Sequence, residues 1–189
     1  MSVQQSAGDS PKPLDHSRLQ NVYTNPSVKV REDDVVRPDG QRGIYSVVEI
    51  RPSVGVLAFN EKGEIALVGQ WRYTLGRYSW EIVRGGSMEG ESDLVSAARR
   101  ELREETGYEA ADWSLLGTVD VNNGITNDVQ NLFVARGVAF HGARQEAEEE
   151  IATRWVPFAE AVRMALDGRI TEVCSVAGIL RYATLAGGH

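Results

Sequence analysis

Apolar residues Val95, Ala98 and Leu102 recur at the i, i+3, i+7 spacing of one helical face within residues 93–106. Asp93 or Ser92 can cap the start of this segment and Gly107 can end it, so the pattern predicts a helix. Elsewhere the apolar positions fall into short runs rich in β-branched and aromatic residues, the signature of strands. Residues 27–31 and 43–50 flank the turn-forming Pro38-Asp39-Gly40 and predict a hairpin. Residues 54–59 and 64–73, joined through Asn60-Glu61-Lys62-Gly63, predict a second. A short strand over 79–83 leads into Gly85-Gly86, which reads as a turn. Beyond the helix, residues 113–121, 130–138 and 151–156 read as strands, and 158–166 and 173–184 as helices. Strands interleaved with a few helices imply an α+β fold, with helices against a mixed sheet.

Length changes this picture little: 189 residues with 42% hydrophobic content suit one compact domain. Residues 1–18, polar and holding Pro11 and Pro13, read as a disordered leader, and 19–189 as a single domain. No secretory signal or membrane-spanning run is present in this sequence, which implies a cytoplasmic protein. The single Cys174 has no internal disulfide partner and lacks the neighbours of a zinc site.

Charge matters more. Twenty-seven acidic against 20 basic residues give a formal −7 with no cluster of Lys and Arg, which argues against nucleic acid as partner. An anionic substrate would then need individually placed arginines or bound cations. Arg100-Glu101-Leu102-Arg103-Glu104-Glu105-Thr106-Gly107-Tyr108 puts three carboxylates on one stretch of the predicted helix. Glu101 and Glu105 are i, i+4 neighbours, and Glu104 lies on a nearby arc. Like charges at that spacing cost about 0.2–0.5 kcal/mol unless a cation lies between them. Hard oxygen ligands of this kind suit Mg²⁺ or Mn²⁺. A solvated face on which Arg99, Arg100 and Arg103 pair with the glutamates is the plainer alternative.

From Gly85 to Tyr108 the chain resembles the Nudix box: glycine, five residues, Glu, seven residues, then Arg-Glu-aliphatic-any-Glu-Glu-any-Gly-apolar. The second half matches at every fixed position. In the first half Gly85 and Glu91 have the family spacing, but eight residues, 92–99, separate Glu91 from Arg100. Counting back from Arg100 instead puts Gly86 and Ser92 at the two positions, as one inserted residue would.

The resemblance implies a Nudix α/β/α sandwich with a mixed sheet and an N-terminal antiparallel hairpin region. It implies that Glu101 and Glu105 bind metal, with Glu104 joining directly or through water. Arg100 would orient these glutamates, and a main-chain carbonyl near Arg84 and Gly85 would complete the site. Arg37-Pro38-Asp39-Gly40, Tyr45-Ser46-Val47-Val48-Glu49, Gln70-Trp71-Arg72-Tyr73 and Asp167-Gly168-Arg169-Ile170 resemble the ADP-ribose pyrophosphatase branch. That branch implies hydrolysis of a nucleoside diphosphate derivative, ADP-ribose giving AMP and ribose 5-phosphate, by a homodimer. Its matching position gives Arg72 to the substrate phosphates, against the alternative of a surface strand arginine. The general base would be Glu149 or Glu150 in the acidic stretch 146–150, with Glu101 as the other candidate. Arg84 departs from the small residue that many relatives carry before the box glycine. Another nucleotide sugar as substrate, or a non-catalytic domain that binds a nucleotide metabolite, are the competing readings. The second would be expected to lose box carboxylates, and all three are present.

Overall fold

The computed structural model describes residues 15–26, 28–88, 91, 93–142 and 151–187. Its contacts group the chain into two compact units, one comprising Met1–Ile50 with Gly124–Asn127, the other Arg51–Asn123 with Asp128–His189.

The first unit carries a three-stranded antiparallel sheet in the order β1-β2-β3, with β1 Asp15–Thr24, β2 Lys29–Val36 and β3 Arg42–Glu49. The β2–β3 hairpin is the one predicted from Pro38-Asp39-Gly40. Gly40 takes φ +78°, and Arg37 donates its N–H to the Gln41 carbonyl at 2.8 Å. β2 runs on through Glu32-Asp33-Asp34, a charged stretch that does not read as a strand; Asp33, the buried one of the three, has a partner in Arg31. Arg31 pairs with Asp33 and with Glu49, and Lys29 also reaches Glu49, at 2.8 Å. β1 begins at Asp15, inside the segment read as leader, and its sequence lacks the alternation that marks a strand.

The second unit holds two sheets and three helices. One sheet has the order β7-β4-β9-β8, with β4 Ser53–Ala58, β7 Val83–Gly86, β8 Tyr108–Asp120 and β9 Val129–Phe140. β4 runs parallel to β9 and the other pairs are antiparallel, so the sheet is mixed. The other, β10-β5-β6, is antiparallel, with β5 Glu64–Arg72, β6 Arg77–Glu81 and β10 Ala152–Pro157. The helices are α1 Leu94–Thr106, α2 Phe158–Leu166 and α3 Val173–Ala186.

Every residue of β4 is buried, and its alternate side chains enter two different cores. Val54, Val56 and Ala58 pack with Ala97, Ala98 and Leu102 of α1. Leu57 packs with Ala161 and Met164 of α2 and with Cys174 and Ile179 of α3. Ala66 and Val68 of β5 join the first core, Ile65 and Leu67 the second. The α/β/α layering thus follows from the two-residue period of strands whose faces are both apolar. This also corrects the second hairpin. Asn60 and Gly63 do reverse the chain, but β4 and β5 share only the bridge Phe59↔Ile65 before parting into separate sheets, where each is a central strand.

The helix of residues 93–106 forms as its pattern predicts. Asp93 caps it, accepting from the Val95 N–H at 3.0 Å, and Gly107 at φ 76° closes it by donating to the Arg103 carbonyl. Gly85-Gly86 is not a turn: both residues lie in β7, pairing with Val54 and Ser53.

Candidate active site on the α1 carboxylates

With Ala98 and Leu102 buried in the core, Arg100, Glu101 and Glu105 lie on the side of α1 that meets β7. Arg100 gathers this site. Its Nη1 donates to Glu101 Oε1 and Glu104 Oε2, both at 2.8 Å, its Nε to Glu91 Oε1 at 3.2 Å, and its Nη2 to the Gly86 carbonyl at 2.7 Å. One planar guanidinium therefore holds three carboxylates and the strand that precedes the loop, which a lysine's single ammonium cannot reproduce. Burial works against the Arg100 charge, yet Glu91, Glu101 and Glu104 raise its pKa above the ordinary value.

Glu91, whose place the extra residue of the box left open in the sequence, belongs to the site. Its Oε2 accepts from the Met88 N–H at 2.6 Å. That bond, together with Arg100 and against some burial, keeps its carboxyl below the usual range. Despite the extra residue of the box, Glu91 stays in contact with Arg100.

Glu105 is 6% exposed and accepts from the Arg84 N–H at 3.3 Å, while its carbonyl receives the Thr153 hydroxyl at 3.2 Å. Gly85 is required by space rather than by backbone angle: a Cβ there would overlap the Glu101 carboxylate. β7 and α1 therefore meet at a contact with carboxylate on one side and bare main chain on the other.

The donor chemistry fits a divalent cation. Glu101, Glu104 and Glu105 offer hard oxygens, Glu101 and Glu104 with side chains 12% and 30% exposed and Glu105 buried. Among the described residues no three His, Cys, Asp or Glu side chains are drawn together closely enough to hold an ion unaided. A hydrated cation that takes one or two carboxylates and completes its shell with water and phosphate oxygens suits such a set.

Arg72, assigned from sequence to the phosphates, makes a two-point pair with Glu81, Nε to Oε1 at 3.0 Å and Nη2 to Oε2 at 2.6 Å. Glu81 is 2% exposed, and Arg84 adds a second cation at 3.5 Å from its Oε2. The sequence reading passed over Glu81. Its signal is a carboxylate between Trp80 and Ile82 in a predicted strand, since a buried acid requires a partner. The Arg84 side chain also reaches Glu172 at 3.1 Å, and Glu172 caps α3 by accepting from the Cys174 and Ser175 N–H groups. Glu149 and Glu150, the expected bases, lie outside the described residues.

Burial pushes the Glu81 carboxyl up, but the hydrogen bonds and charge of Arg72 outweigh it and hold the pKa below the ordinary carboxylate value. A depressed folded-state value means that this pair stabilises the fold above the ordinary carboxylate range and is lost as pH falls through the folded-state pKa. Thermal melts from pH 7 to 3 should therefore show a loss of stability that Glu81→Gln shows less of. At pH 7 that variant is expected to lose about 1.5–3 kcal/mol, the worth of a charge-assisted bond. Equal acid sensitivity in both proteins would refute this.

Comparison with known proteins agrees with the geometry. A NUDIX domain profile matches residues 49–173, and a nucleoside diphosphate sugar hydrolase N-terminal domain profile matches residues 20–48. The chain is 34% identical over 173 residues, 89% of its length and 83% of the relative's, to an ADP-ribose pyrophosphatase of Mycobacterium tuberculosis. It is 26% identical over 168 residues, 89% of this chain and 81% of the other, to a CMP-5'-(N-acetyl-N-hydroxy-3-aminopropyl)phosphonate hydrolase of Streptomyces rubellomurinus. Its fold matches the crystal structure of an ADP compounds hydrolase with a TM-score of 0.84 at 18% identity, covering 95% of this chain and 97% of the other. The domain match spans the Arg100-centred carboxylates and the strands that position them, and the chain belongs to the Nudix hydrolase family.

Proposed function

We propose that this chain hydrolyses the diphosphate bond of ADP-ribose, yielding AMP and ribose 5-phosphate, with Mg²⁺ as the working cation and Mn²⁺ as a substitute. The observation that carries the reaction class is the gathering of Glu91, Glu101, Glu104 and the Gly86 carbonyl on Arg100. The 34% identity to an ADP-ribose pyrophosphatase over 89% of the chain supports the substrate.

Glu101 and Glu105 would hold the metal, with Glu104 directly or through water and a main-chain carbonyl near Arg84 and Gly85. When bound, divalent ions neutralise the charge of the diphosphate and lower the pKa of a water. Arg100 fixes the carboxylates before substrate arrives, so little reorganisation is left for the reaction itself. Arg72, aimed by Glu81, engages phosphate oxygens through its guanidinium. Glu149 or Glu150 takes the proton of the attacking water, with Glu101 as the alternative base.

The protein is proposed to act in the cytoplasm as a homodimer; no helix among the described residues is long and apolar enough to cross a membrane. A different nucleotide derivative as substrate is the second reading, favoured by the 26% identity to a hydrolase named for a CMP-linked phosphonate. Product analysis with ADP-ribose, ADP-, UDP- and GDP-sugars and Mg²⁺ separates the two. AMP appearing fastest from ADP-ribose supports the proposal. Preference for another nucleotide by tenfold or more in kcat/KM would replace the substrate, and a folded protein inert to all of them would point to a binding domain.

A further inference from the structure

Arg84 carries a charge that the site described above leaves without a task. On β7 its neighbours Val83 and Gly85 face α1, the first in the core beneath that helix and the second against the Glu101 carboxylate. The two-residue period of a strand therefore sends the Arg84 side chain to the opposite face, where it meets the start of α3. Its Nη1 lies 3.1 Å from Glu172 Oε1 and 3.5 Å from Glu81 Oε2, and its Nη2 lies 3.5 Å from Gln130 Oε1. Glu81 Oε2 is the same oxygen that accepts from Arg72 Nη2 at 2.6 Å. The four side chains thus form one line of alternating charge, Arg72–Glu81–Arg84–Glu172, with the Glu81 carboxylate 2% exposed within it. Glu172 has donors besides Arg84, the Cys174 and Ser175 N–H groups and the Ser175 hydroxyl. Arg72 and Arg84 share Glu81.

A buried carboxylate that grips an arginine at two points aims it, and by the same contact cancels its charge. An arginine cancelled in this way attracts phosphate poorly. A second cation on the same oxygen takes up part of the carboxylate's charge, and burial of Glu81 keeps salt from screening the effect. We propose that Arg84 is a positioning residue for phosphate recognition that acts through Glu81: it draws on the Glu81 charge, so that Arg72 is aimed by that carboxylate without being neutralised by it. The inference rests on the reading of Arg72 as the phosphate arginine. Arg84 itself touches no substrate.

Calorimetric titration with ADP-ribose, chelator present so that no turnover occurs, tests it on wild type, Arg84→Met, Arg84→Lys, Glu81→Gln and the Arg84→Met, Glu81→Gln double variant. Methionine keeps the length of the stem and removes the charge. Arg84→Met should weaken binding by about tenfold, within the range for members of one ion-pair network, and Arg84→Lys should recover most of the loss. In the Glu81→Gln background the same substitution should change the affinity little, because no carboxylate charge remains to be offset. A purely structural role would instead lower Tm and weaken binding alike in both backgrounds. Wild-type affinity in Arg84→Met, an undiminished effect in the Glu81→Gln background, or a lysine variant no better than methionine overturns the proposal. AMP release with Mg²⁺, measured on the same proteins, separates the two readings. If AMP forms but the Arg84 variants bind as wild type, this inference fails and hydrolysis stands. If the affinities follow the expected pattern but no AMP forms, hydrolysis fails and the role of Arg84 stands. Wild-type protein that binds no ADP-ribose overturns both.

Discussion

Gly85→Ala is expected to lower kcat/KM by about a hundred-fold or more while leaving the protein folded, because misplacing a reacting group by about an ångström has that scale of effect. A Cβ at this position overlaps the Glu101 carboxylate, so strand and helix must separate or Glu101 must turn away. Either movement displaces the carboxylate that the mechanism gives to the metal. Gly85 takes no positive φ, and its strand pairing with Val54 does not depend on lacking a side chain. Steady-state kinetics beside a thermal melt would show a large drop in rate with a small change in Tm. An active Gly85→Ala protein would mean that the Glu101–Gly85 contact has no catalytic part.

Arg100→Lys should cost about 10- to 100-fold in activity or metal affinity, the range for groups that orient metal ligands. Lysine keeps the charge but cannot span Glu91, Glu101, Glu104 and the Gly86 carbonyl together. The distinguishing readout is the metal concentration for half-maximal rate. It should rise in Arg100→Lys, because released carboxylates repel one another and must be gathered again on binding. A variant with an unchanged metal requirement would reduce Arg100 to a surface ion pair.

Helix α1 was legible because its period, its Asp93 cap and its Gly107 terminus are all local signals. The strands that build the two cores were legible as apolar runs, but their partners were not. Nothing local to residues 60–63 tells a hairpin from a reversal that sends β4 and β5 into different sheets. β1 was missed because it is held by main-chain pairing to β2 rather than by an apolar face of its own pattern. Spacing put the three helix carboxylates beside one another, and the resemblance to the Nudix box gave them and Arg100 their expected roles. Glu81 could not be linked to Arg72, nor Glu172 to Arg84, since the first pair forms only when β5 and β6 come together and the second only when β7 meets the start of α3. Counting along the chain left both Gly85 and Gly86 as candidates for the box glycine, and the fold uses both: Gly85 gives Glu101 room, and Gly86 lends its carbonyl to Arg100.

Glu101 and Glu105 are proposed to hold the cation that makes hydrolysis possible. Mn²⁺ binding followed by electron paramagnetic resonance, in the same samples assayed for AMP release from ADP-ribose, tests it most directly across wild type, Glu101→Gln and Glu105→Gln. Tight Mn²⁺ binding and turnover are expected in the wild type, and both should be lost in the variants while their melting curves stay cooperative. Wild-type Mn²⁺ affinity and turnover persisting in Glu105→Gln would contradict it.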